Sequence, residues 1–175
     1  MTISAKLPAN LRPHASGRRY HVIIDTPAGS RVKYKYDRDY GMFKLSKVLP
    51  RGMVFPGNFG FIPGTAADDG DELDMLILCD EPLAIGILLE VRLLGALRAT
   101  QVQSGKTIRN DRLVGVPVTS ANPPAWRSLR DVPLPMRRQI EAFFVSYNEQ
   151  QGRRFRPQGW IGIRESEALI RNACR

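Results

Sequence analysis

Residues 68–79 read Asp68-Asp69-Gly70-Asp71-Glu72-Leu73-Asp74-Met75-Leu76-Ile77-Leu78-Cys79, a dense acidic turn that runs into an apolar segment. Leu73 to Cys79 reads as a short apolar strand, so Asp74 is held on a rigid element at its opening. On the N-terminal side, strands are expected at Tyr20–Asp25, Val32–Asp37 and Met42–Leu49, separated by turn signals at residues 27–30 and 39–41. Val32–Asp37 alternates, with Lys33 and Lys35 pointing one way and Tyr34 and Tyr36 the other. Pro50, Gly52, Pro56, Gly57 and Gly60 break up the stretch that follows, with Phe55, Phe59 and Phe61 between them. On the C-terminal side, Gly86–Leu97 and Leu113–Val118 read as strands. The clear helical signal comes late: Pro135 suits a first turn, Ile140, Phe143, Phe144 and Tyr147 fall on one face, and Gly152 suits a C-cap. Glu165–Ala173 reads as a short terminal helix. Strands first and helices last predict an α+β fold, a small closed or nearly closed β-barrel with helices packed on it.

At 175 residues the chain is expected to form one domain over 1–175, with residues 1–19 as an N-terminal arm. Apolar residues at 43% and charged residues at 25% argue against disorder. The longest apolar stretch, Leu83–Leu89, is too short to span a membrane, and the N-terminal residues lack the apolar region of a signal peptide. Cys79 and Cys174 form no CxxC pair and no disulfide framework; Cys79 is expected buried and Cys174 exposed. These features predict a cytoplasmic protein with no membrane association. The net charge of +9 is concentrated late: residues 98–175 hold 14 of the 26 Lys and Arg but only 6 of the 17 Asp and Glu. A solvated basic face explains this excess, Arg153, Arg154 and Arg156 being expected on a solvated loop; a polyanion such as nucleic acid is the competing explanation. Basic residues interleaved with an aromatic stacking platform are lacking, so nucleic acid is not the favoured partner.

The chemistry concentrates in residues 68–74, five of which are acidic in an otherwise basic chain. Carboxylates this close repel one another and stay ionised together more easily around a hard cation. Asp69 and Asp71 share a face of an extended segment, and Gly70 allows the tight turn between them. An EF-hand is excluded: counting from Asp69, the obligatory glycine at position six is Asp74. Magnesium or manganese, held by a few carboxylates and shared with phosphate oxygens, suits the pattern better; the alternative is an acidic surface turn. His14 and His21 have no metal-ligand spacing, and GxSxG, P-loop and GxGxxG patterns are absent.

The segment Asp69–Met75 resembles the signature of the family I soluble inorganic pyrophosphatases. So do Lys33–Tyr34, the aromatic segment Phe55–Ile62, Gly95–Leu97, Val114–Pro117 and the helix Gln139–Tyr147. The similarity runs over roughly residues 20–172. It implies a five-stranded OB-like β-barrel with flanking C-terminal helices, and magnesium-dependent hydrolysis of pyrophosphate to two phosphates, with Mn2+ as a possible replacement metal. It also implies a homo-oligomer, usually a hexamer in bacterial members. By resemblance, Asp69, Asp71 and Asp74 match metal ligands, and Asp71 the carboxylate that assists the nucleophilic water. Lys33, Lys47, Arg112 and Tyr147 fall at phosphate-binding positions.

Several positions depart from the family pattern. Asp25 stands where the family has Glu, Lys35 where it has Glu, Lys47 where it has Arg, Phe59 where it has Tyr, Arg112 where it has Lys, and Asn148 where it has a second phosphate-binding Lys. In the loop 101–111, which is longer here, Gln101 replaces one metal-binding Asp; the other falls on Asn110 or Asp111. Fewer carboxylates and an added lysine predict fewer divalent ions, because a like charge about 5 Å from a metal costs on the order of 1 kcal/mol or more. The alternative expectation is a related protein without efficient turnover that acts on another phosphorylated ligand.

Overall fold

Closure of the sheet rests on β6 (Leu88–Gln103), whose 16 residues pair with four other strands. The computed structural model describes residues 7, 11–68, 70–119 and 125–175. The start of β6 pairs antiparallel with β1 (Arg19–Thr26), which pairs in turn with β4 (Asn58–Phe61). Next come β5 (Asp74–Ile77), β8 (Arg112–Pro117) and β6 again, so five strands form a ring. Only β5–β8 is parallel among these pairings. The far half of β6 carries β7 (Lys106–Arg109) on one edge and β9 (Arg154–Ile161) on the other. A separate hairpin joins β2 (Val32–Asp37) to β3 (Met42–Val48), with helices α1 (Leu134–Glu149) and α2 (Ile163–Ala173) late in the chain. The barrel and the late helices are as the sequence implies.

Ring strands are buried on both faces, which is why Met75–Leu78 reads as a continuous apolar run. Met75 and Ile77 pack with Val22, Val91 and Leu113 in a core that also holds Ile170 of α2. Leu76 and Leu78 pack on the opposite face with Val114, Val116, Ile140 and Phe144, the last two from α1. Each such side chain contributes about 1.5–3 kcal/mol on full burial. Two irregularities in β6, opposite β8 at Leu93/Gly95 and opposite β9 at Leu97/Ala99, let one strand bend from the ring into the outer ladder.

Three strands were not legible. β4 lies in the stretch broken up by Pro and Gly. There Asn58 is buried and bonded at both ends of its amide: Oδ1 accepts the Ala28 and Leu83 amides at 3.0 and 2.8 Å, and Nδ2 donates to the Glu81 carbonyl at 2.9 Å. β7 turns the expected loop 101–111 into a hairpin. β9 takes in the Arg154–Arg156 run expected as a solvated loop: Phe155 is buried in the core while Arg154 and Arg156 stay exposed. Gly152 lies beyond the α1 cap, which is Gln150, and adopts φ 66°. Cys79 is only half-buried, whereas Cys174 is exposed as expected. The arm leads into the fold through a bridge between His14 and Tyr20.

Gly60 has a strict steric reason. A Cβ there would lie 2.4 Å from the Ile23 carbonyl oxygen and 2.8 Å from a Val22 methyl carbon. Gly60→Ala must push β1 away from β4 and is expected to destabilise the protein by about 1–3 kcal/mol. Urea unfolding followed by circular dichroism measures this; an unchanged midpoint would contradict the close β1–β4 approach.

Candidate active site

A cavity of about 340 Å³ opens where the acidic segment, β2 and the start of β8 meet. Its wall includes Asp71 and Asp74 from the acidic segment, Lys33 and Lys35 from β2, Arg112 from β8 and Asp25 from β1. Strand pairing explains the grouping. Met75 and Leu113 are partners across the parallel β5–β8 pair, so the residues before them, Asp74 and Arg112, emerge side by side. The Arg112 guanidinium donates through Nη1 to Asp74 Oδ2 at 2.7 Å and lies 5.3 Å from the centre of the Phe144 ring. Lys33 and Lys35 reach the same cavity because they alternate on one side of β2.

Lys35 Nζ donates to both Asp71 oxygens at 2.7 Å. Lys33 Nζ stands 5.6 Å from the centre of the Phe59 ring, which is buried where the family pattern has a Tyr. Burial alone would push the Lys33 ammonium down, but Asp74 and Asp25 outweigh it and hold it above the ordinary lysine value. Burial pushes the Asp25 carboxyl up to about 6, with Asp74 adding to the rise and Lys33 opposing it. Asp25 is 5% exposed, and its Oδ1 has no hydrogen-bond partner.

Lys47 and Tyr147 do not line this cavity. They form an adjoining cluster, Lys47 Nζ lying 5.3 Å from the Tyr147 ring centre and donating to Gln151 Oε1. Lys33 and Lys47 are cross-strand partners, and Tyr147 acts electrostatically on both. Burial lowers the Lys47 ammonium below its ordinary value, with Tyr147 opposing the shift.

Asp69 lies outside the described residues. Asn148 turns away from the cavity: it is buried, and Nδ2 donates to the Phe144 carbonyl at 2.8 Å. Gln101 is buried too, accepting from Asn110 Nδ2 at 2.6 Å. Asp111 reaches the cavity wall, but its carboxylate accepts the Ala99 amide at 3.0 Å and pairs with Arg109. The sequence reading missed Arg109 and the C-terminal residues Asn172 and Ala173 as wall residues. No local pattern marks them, because α2 and β7 reach the cavity only through the tertiary fold.

The donor chemistry suits a hard divalent cation. Asp71 and Asp74 offer carboxylate oxygens, and the orphaned Asp25 oxygen is a further acceptor in the same wall. Among the described residues no three His, Cys, Asp or Glu side chains converge into a ready-made metal cage. A small ion held here would therefore keep several waters, as magnesium does.

A family model described as inorganic pyrophosphatase matches residues 22–175. An inorganic pyrophosphatase of Thermus thermophilus is 36% identical over 150 residues, 86% of this chain and 83% of the relative. One from Geobacillus stearothermophilus is 35% identical, over 84% of this chain and 87% of the relative. Among solved structures, an inorganic pyrophosphatase from Neisseria gonorrhoeae superposes with a TM-score of 0.85 at 32% identity, covering 94% of each chain.

The raised Asp25 value has a consequence for stability. Its folded-state value of about 6 exceeds the ordinary 3.8, so the folded protein holds this proton more tightly than the unfolded chain. The group's stabilisation is complete below about pH 4 and is lost as pH rises through 6, a change of about 2–3 kcal/mol. In metal-free buffer, wild type is expected to lose stability relative to Asp25→Asn between pH 4.5 and 7.5. Urea unfolding at both pH values tests this, and parallel profiles would refute a buried, titrating Asp25.

Proposed function

Since the chain belongs to the inorganic pyrophosphatase family, we propose that it hydrolyses pyrophosphate to two phosphates in the cavity lined by Asp71, Asp74, Lys33 and Arg112. The observation that carries this reading is the meeting of the acidic segment with three cationic side chains, Lys33, Lys35 and Arg112, in one cavity. A pyrophosphate anion needs both features: cations for its oxygens and a carboxylate for the attacking water.

Asp69, Asp71 and Asp74 are the residues that would hold magnesium, with manganese as a replacement. The metal, when bound, neutralises phosphate charge and makes a nearby water more acidic. Asp71 takes the proton of the attacking water as oxygen adds to one phosphorus. The bridging P–O bond breaks, and its electron pair leaves with the second phosphate. Lys33 and Arg112 neutralise oxygens of the phosphates, and both are already fixed against aromatic rings, which limits their reorganisation. Lys47 and Tyr147 receive the other phosphate in the adjoining cluster. The same reading carries a single domain over 1–175, a cytoplasmic location and a homo-oligomer, a hexamer as in bacterial members.

Phosphate release from pyrophosphate, titrated with Mg2+ and with Mn2+, tests the proposal. Metal-dependent release is expected, with Asp71→Asn lowering kcat at least about 100-fold, the usual scale for a lost general base. Release equal in wild type and Asp71→Asn would remove Asp71 from the mechanism. No release from folded wild type would refute the proposed activity.

A further inference from the structure

We propose that Lys35 is a resident cation standing in for one divalent ion: it holds Asp71 in the metal-free cavity, and an incoming metal must displace it. The inference rests on the pyrophosphatase reading of the cavity for its biological meaning, but its geometry stands apart from turnover. Lys35 Nζ is 2.7 Å from both Asp71 oxygens, so the ammonium occupies the bidentate position of the carboxylate. Asp74, the carboxylate of the acidic segment that opens β5, is likewise paired, with Arg112 at 2.7 Å.

The two pairs differ in how readily they open. The Lys35 and Asp71 side chains are 49 and 56% exposed, those of Arg112 and Asp74 only 10 and 22%. Exposed ion pairs are weak, whereas breaking a desolvated pair strands a charge. An incoming divalent cation therefore opens Lys35–Asp71 first and leaves Arg112–Asp74 in place. The displaced ammonium remains on β2 beside the cavity and repels the ion that replaced it. Metal uptake at Asp71 is thereby weakened by a built-in competitor.

The test is titration of metal-free protein with Mn2+ alone, followed by calorimetry and by the electron paramagnetic resonance signal of free Mn2+. Lys35→Gln is expected to tighten Mn2+ binding about tenfold, and Lys35→Met to do the same. Lys44→Gln is the charge control: Lys44 is the cross-strand partner of Lys35, but its ammonium pairs with Asp37 and does not line the cavity. It is expected to change the affinity less than twofold. Equal tightening in Lys44→Gln would reduce the effect to net charge and overturn the proposal. So would an affinity unchanged or weakened in both folded Lys35 variants. Because no pyrophosphate is present, tighter Mn2+ binding in a protein that fails to release phosphate would sink the proposed function and leave this inference standing. Unchanged binding in an active enzyme would do the reverse.

Discussion

One strand has to satisfy four partners, and the rest of the molecule is arranged around that demand. β6 closes the ring between β1 and β8, then leaves it to carry β7 and β9. A straight strand has only two edges, so the partners must be shared out along its length. The irregularities near Gly95 and Ala99 provide the bend between the two halves. At Gly95 the backbone has φ 153°, and a Cβ would stand 2.5 Å from the Ile161 carbonyl oxygen. That close approach is what sets β9, and with it α1, against the ring. The aromatic floor of Phe59 and Phe144, on which Lys33 and Arg112 rest, follows from the same closure.

Closure also decides the electrostatics. A parallel β5–β8 pair puts the first residues of both strands at one end of the barrel, and those residues are Asp74 and Arg112. The hairpin β2–β3 adds Lys33 and Lys35 over that end. The cavity wall thus sets six carboxylates against four cations. Its components are not equally firm: the inner pair is desolvated and the outer pair is wet. Charge rearrangement on ligand entry begins at the wet pair, where the cost is smallest.

The barrel and the acidic segment were legible because their signals are local. Alternation in Val32–Asp37, the apolar run after Asp74 and the spacing of Ile140, Phe143, Phe144 and Tyr147 each follow from one element's own geometry. β4 was hidden because its strand is four residues long and includes a glycine required by the neighbouring carbonyl. β9 was hidden because its arginines mark a solvated face while its buried residues, Phe155 and Ile161, stand too far apart to form a strand pattern. Within the site, sequence reading identified Lys33, Asp71, Asp74 and Arg112 as functional candidates but did not reveal that Asp71 and Asp74 are each paired with a cation. A pairing between residues 36 or 38 positions apart leaves no trace in spacing.

The hairpin that replaces a short loop ties up polar side chains beside the cavity. Asp111 stands between β7 and β8 and uses its carboxylate to accept the Ala99 amide and to hold Arg109. Asn110 and Gln101 bond each other in the same place. Side chains that close a hairpin by satisfying buried donors are costly to withdraw, because each withdrawal leaves an unpaired polar group. The β6–β7 turn therefore contributes structure where the family pattern contributes metal-binding aspartates. The acidic segment faces Lys33, Lys35 and Arg112, while the Asp111 carboxylate in the same wall is engaged by the Ala99 amide and Arg109. Fixed cations and fewer acids are two parts of one arrangement: each lost carboxylate lowers the demand for divalent charge, and each resident ammonium or guanidinium meets part of what remains.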